Sequence, residues 1–153
     1  GRSKTPIICD DEGNPYYCQS YLFQYGKPDV IHSSDNLYIL SCGPAMGDAY
    51  LAFKKLNEEG IKIGLINVAT PNFLLEDFKS VIQGKKLIIT EDHNINNGLS
   101  SVILKFIGKH QLNTQAYSFG ITDYAPSGDY KAIYKKYGID HESITNFVKS
   151  LLH

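Results

Sequence analysis

The stretch KLIITEDHNINNGLSSVILKFIG, residues 86–108, decides how the chain is read. Leu87-Ile88-Ile89-Thr90 is a short, β-branched apolar run and predicts a buried strand. Glu91-Asp92-His93-Asn94-Ile95-Asn96-Asn97-Gly98 predicts a polar loop. Leu99, Val102, Ile103, Phe106 and Ile107 then fall at spacings of three, four, seven and eight, which is one face of a helix. Strand, loop and helix in that order place Glu91, Asp92 and His93 at the C-terminal end of a strand, where open α/β sheets bind ligands.

The same alternation extends outward from this unit. Leu37-Tyr38-Ile39-Leu40-Ser41 predicts a second buried strand, Cys42-Gly43-Pro44 a tight turn, and Ala45, Ala49, Ala52, Phe53 and Leu56 a helical face that stops at Gly60. Residues 61–68 read as a strand. A helix is expected from Pro71-Asn72 to Gly84, with Leu74, Leu75, Phe78, Val81 and Ile82 inward. Residues 115–119 read as another strand. Two helices close the chain. The first has Ser127 as its cap and Tyr130, Ile133, Tyr134 and Tyr137 inward; the second has Asp140 as its cap and Ile144, Phe147, Val148, Leu151 and Leu152 inward. Before residue 37 the chain is irregular, with strand candidates at 7–9 and 20–25, the latter a candidate antiparallel edge. Asp10-Asp11-Glu12-Gly13-Asn14 lacks the ligand pattern of a calcium loop and reads as a solvated turn. Strands alternating with helices imply right-handed crossovers. The fold class is α/β: a three-layer α/β/α domain with a mostly parallel sheet of about five strands.

Composition narrows the function. At 153 residues and net charge −1 the chain is expected to form one domain, and its scattered basic residues argue against nucleic acid and membrane partners. No apolar run approaches the roughly 20 residues that span a bilayer, and no signal peptide is expected before Arg2. Cys9, Cys18 and Cys42 are odd in number and lack metal-ligand spacing, which predicts reduced thiols, a cytoplasmic location and no metal site. Most of the eleven Tyr are expected at half-buried core edges.

Two readings of Glu91-Asp92-His93 stay open on residue type. One is acid/base or anion-binding chemistry at the helix start. The other is a structural turn, with a carboxylate capping the helix and the imidazole bridging backbone groups. The second is favoured, because no further acid/base partner stands nearby in sequence. Gly43 and Gly47 do not form a dinucleotide fingerprint, and Cys42 lacks the adjacent base a nucleophile needs.

In this order the motifs resemble the C-terminal domain of transketolase, over nearly the whole chain. Glu91-Asp92-His93 with Gly98, Ser41-Cys42-Gly43-Pro44, Ser127-Gly128 and Tyr137-Gly138-Ile139 carry the resemblance, and Arg2-Ser3-Lys4-Thr5-Pro6 matches the segment that leaves the family's pyrimidine-binding domain. The resemblance implies that residues 1–36 are a linker from that missing domain plus an edge strand, and that 37–153 are the α/β domain. It implies a parent enzyme of the pentose phosphate pathway that moves a two-carbon ketol unit between sugar phosphates, using thiamine diphosphate and Mg2+, as a homodimer. Arg2 is implied to bind the substrate phosphate. No catalytic residue and no cofactor is expected in this chain, which is read as a fragment, inactive alone, that packs on the catalytic domains of its parent. Glu91, Asp92, His93 and Gly98 are then expected to fix the turn, and loss of His93 to cost stability more than chemistry. Asn97 and Ser100 stand where the family commonly has glycine. Deoxyxylulose-phosphate synthase, the E1 β chain of a 2-oxoacid dehydrogenase and an autonomous small-anion-binding module are the alternatives.

Overall fold

A computed structural model describes residues 6–124 and 126–152. Five strands form one sheet: β1 (Asp29–His32), β2 (Leu37–Ser41), β3 (Gly64–Asn67), β4 (Lys86–Asn94) and β5 (Gln115–Ile121), in the order β1-β3-β2-β4-β5. β3, β2, β4 and β5 run parallel, and β1 joins β3 antiparallel at the edge. The helices are α1 (Met46–Glu58), α2 (Phe78–Ile82), α3 (Leu99–His110), α4 (Tyr130–Tyr137) and α5 (His141–Ser150). The α/β reading and the parallel sheet with one antiparallel edge are what the chain folds into.

The pleat sends alternate strand residues into two cores. Leu37, Ile39, Leu65 and Ile88 pack with Ala49, Phe53 and Leu56 of α1 and Ile144 and Val148 of α5. Tyr38, Leu40, Ile66, Leu87 and Ile89 pack with Phe78 and Ile82 of α2 and Leu99, Ile103 and Phe106 of α3. The central strands are apolar on both faces, as a doubly covered sheet requires.

The structure corrects several boundaries. Residues 20–25 form no strand; the antiparallel edge is Asp29–His32 instead. Leu22, Phe23 and Tyr25 are all exposed, so that run has no buried face to make it a strand. The candidate at 7–9 is reduced to a single bridge, Cys9 to Pro15. The helix expected from Pro71 is only Phe78–Ile82. Leu75 N–H donates to Gly26 O at 2.8 Å, and this long-range bond holds the chain out of helical geometry before Phe78. Asp129, not Ser127, caps α4, accepting from the amides of Lys131 and Ala132. Tyr134 alone of the four expected inward residues of α4 is buried. Asp140 caps α5 as its residue type suggests, accepting from Glu142 and Ser143. Among the described residues no helix is long and apolar enough to cross a membrane.

Candidate functional site at the carboxyl end of the sheet

β4 does not stop at Thr90. It slips register against β5 and runs on to Asn94, so Glu91-Asp92-His93 is the end of a strand rather than a loop. Its residues face different surroundings. Glu91 is fully buried and turns toward α3. Its Oε2 accepts the Leu99 amide at 2.6 Å and its Oε1 the Ser100 amide at 2.8 Å. Both belong to the first turn of a helix whose own flanking residue, Gly98, has no side chain with which to cap it. The cap therefore comes from eight residues upstream, and a carboxylate there also meets the positive end of the helix dipole.

Two glycines make room for it. Gly98 lies against the Glu91 carboxylate. Gly120 in β5 approaches so closely that a Cβ there would stand 2.9 Å from Glu91 Cγ and 3.0 Å from Glu91 O. Gly98 belongs to the expected motif. Gly120 does not, because the strand reading stops at 119; its signal was a glycine following an apolar strand run, which marks close approach of another chain segment.

Asp92 is partly buried on the opposite face. Its Oδ2 accepts from Tyr134 Oη at 3.4 Å. His93 Nδ1 stands 3.1 Å from Asp92 Oδ1 without the alignment of a hydrogen bond, so Oδ1 has no hydrogen-bond partner. The His93 side chain is exposed, and among the described residues its recorded polar contact is Asp92, not the backbone bridge expected of it. Burial first, then Asp92 and Asp48, pushes the Tyr134 phenol well above its ordinary range, so it is a donor and not a base. Cys42, on the turn after β2, is buried. Desolvation, followed by the charges of Glu91 and Asp92, pushes its thiol up to about 12, which removes it as a nucleophile near neutral pH. Ser41 Oγ donates to Thr90 O at 2.9 Å and ties β2 to β4 beneath this group.

Two hollows flank these residues. One of about 300 Å3 is lined by Cys42, Pro71, Asn72, His93, Asn97 and Gly98. The other, about 350 Å3, lies between α1, α4 and α5, with Asp48, Tyr130, Lys131, Tyr134, Lys135 and His141 on its walls. Its charges are of both signs, and Asp48 is already engaged: its Oδ1 accepts the His141 backbone amide at 3.0 Å and lies 3.3 Å from His141 Nδ1. Among the described residues no group of three or more His, Cys, Asp and Glu could hold a metal ion. The arrangement positions a helix and a turn; among the described residues it does not bring together a nucleophile, a base and an orienting partner. Arg2, the expected phosphate ligand, lies outside the described residues.

Comparison with known proteins places this geometry. Residues 26–144 match the family model "Transketolase, C-terminal domain". The chain is 32% identical over 135 residues to a subunit of the apulose-4-phosphate transketolase of Actinobacillus succinogenes, covering 86% of the chain and 43% of that protein. It is 30% identical over 133 residues to 1-deoxy-D-xylulose-5-phosphate synthase of Clostridium tetani, covering 85% of the chain and 22% of that protein. Among solved structures, a split-gene transketolase described as an inactive β4 tetramer superposes with a TM-score of 0.72 at 20% identity, over 98% of this chain and 47% of that one, a likeness of fold. The chain thus spans less than half the length of these relatives.

Proposed function

This chain belongs to the transketolase C-terminal domain family, and we propose that it serves as the C-terminal domain of a transketolase-type enzyme that transfers a two-carbon ketol unit between sugar phosphates. In this reading the domain is structural. It packs on catalytic domains and supports a homodimer in the cytoplasm, within the pentose phosphate pathway. The observation that carries the structural role is Glu91: both its carboxylate oxygens are held by amides of α3, so this buried acid at the sheet end is occupied as a helix cap. The relatives named for transketolase and for deoxyxylulose-phosphate synthase support the reaction class.

Thiamine diphosphate and Mg2+ belong to the proposed parent. In this proposal other domains hold that cofactor. Arg2 would contribute a guanidinium to the substrate phosphate, a planar fork of donors that stays charged.

The test is turnover of xylulose 5-phosphate with ribose 5-phosphate, by this chain alone and by the enzyme that contains it. Turnover by the chain alone would overturn the structural role. Formation of 1-deoxy-D-xylulose 5-phosphate and CO2 in a second assay supplied with pyruvate and glyceraldehyde 3-phosphate, with no turnover in the first, would transfer the assignment to the synthase branch named by the Clostridium tetani relative.

A further inference from the structure

Exposed apolar side chains are concentrated in the segment 22–25 and at Phe73, which packs on Tyr25. Leu22 is 89% exposed, Phe23 58%, Tyr25 57% and Phe73 49%, with Ile7 and Tyr17 also exposed nearby in sequence. Single exposed apolar residues are ordinary, whereas a held cluster marks an interaction surface.

This cluster is held. The Gly26 amide donates to Thr70 Oγ1 at 2.9 Å, and Gly26 O accepts from the Leu75 amide at 2.8 Å. Gly26 has φ +80°, and a Cβ there would meet the Phe73 ring at 2.4 Å, so the turn depends on glycine twice over. The clamp stacks Tyr25 on Phe73, with ring centroids 5.8 Å apart and planes at 14°. Leu22, in the same segment, lines a groove of about 440 Å3 with Tyr21, Pro28 and Val30. Asp29 at its rim is engaged by the phenols of Tyr17 and Tyr21, which hydrogen-bond its carboxylate at 3.0 Å. The result is a held aromatic anchor beside a carboxylate whose oxygens are already hydrogen-bonded, the composition of an interface centre.

The comparisons indicate what covers it. The family match begins at residue 26 and is a C-terminal domain, and the chain covers only 43% of the length of its Actinobacillus succinogenes relative. The additional length of the relatives therefore precedes the matched domain. Leu22, Phe23 and Tyr25 lie immediately before residue 26, where the family match begins, on the N-terminal side of the matched domain. We propose that Leu22, Phe23, Tyr25 and Phe73 form the docking face for the catalytic section of the transketolase-type enzyme, carried on the same polypeptide or on a separate one. The inference rests on the function proposed above and adds the surface through which it is exercised.

The experiment titrates the tagged chain with the catalytic section encoded with it, following binding and transketolase turnover. Phe23→Asp and Phe73→Asp are compared with Leu104→Asp, which charges an exposed apolar site on α3, with melting of each variant as the check on folding. The expected result is binding weaker by at least about tenfold for the first two and unchanged for the third. Wild-type binding by both Phe variants would overturn the docking face and leave the proposed function standing. Self-association of the chain, abolished by Phe23→Asp, would overturn it in favour of a second copy. Failure of the wild-type chain itself to bind would bring down the proposed function and the docking face together.

Discussion

A Cβ placed on Gly98 would stand 1.7 Å from Oε2 of Glu91 and 2.7 Å from its carboxyl carbon. The backbone of Gly98 is extended, with φ −100°, a conformation any residue adopts. Space, not conformation, requires glycine here. Gly98→Ala is therefore expected to destabilise the chain by about 2–3 kcal/mol, through displacement of a buried carboxylate from two amides. Urea denaturation measures it; an unchanged midpoint would refute the crowding.

The two residues should also be coupled. Glu91→Ala leaves the amides of Leu99 and Ser100 without their acceptor and is expected to cost about 3 kcal/mol. It also removes the atoms that crowd position 98. In the Glu91→Ala background Gly98→Ala should cost less than it does alone, by about 1–2 kcal/mol. Additive costs in the double-mutant cycle would show that the clash lies elsewhere, Asn94 O at 3.0 Å being the next neighbour.

His93 is expected to behave differently from its neighbour in the motif. Its side chain is 67% exposed, and its recorded polar contact is Asp92. His93→Ala should shift stability by no more than about 0.5 kcal/mol, as exposed substitutions do. This reverses the expectation from residue types, under which the imidazole held the turn. A thermal melt decides between the two.

The start of α5 gives a pH dependence. Burial acts to raise the Asp140 carboxyl, but the Ser143 and Glu142 bonds outweigh it and hold the group below its ordinary value. A carboxyl depressed in the fold is protonated first in the unfolded chain. Its stabilising contribution is complete above the ordinary carboxylate pKa of about 3.9 and is lost as pH falls through the folded value. Melting at pH 7 and at steps below pH 4 should show a loss that is smaller in Asp140→Asn; identical slopes would contradict the cap.

The three thiols should separate by exposure. Cys18 is exposed, and its hydrogen bond with Ser20 lowers its pKa, while Cys42 is buried and raised to about 12. Brief alkylation of the native protein at pH 8, followed by peptide mapping, should label Cys18 first and Cys42 only after unfolding. Early labelling of Cys42 would show that the turn after β2 opens.

Much of this architecture was legible from residue order. The apolar runs at 37–41 and 87–90 could be buried only inside a covered sheet, and both are central strands. Asp140 could be recognised as a cap because its partners are two and three residues away. What escaped were choices made over distance. The Leu75 amide bonds to Gly26, 49 positions earlier, and shortens a helix that local periodicity supports. Gly120 faces Glu91 from the neighbouring strand; a glycine after an apolar run signals a close approach, but not which residue approaches. The Glu-Asp-His cluster could be located from the sequence, but its division of labour depends on which side of the sheet each residue faces.

The packing of Glu91 between Gly98 and Gly120 also bears on descent. Replacing either glycine first displaces the carboxylate, and replacing the glutamate first strands two amides, so each single step lowers fitness to fold before a second can restore it. A lineage that holds this arrangement crosses a valley to leave it. On this account the three residues resist replacement one at a time, whatever chemistry surrounds them.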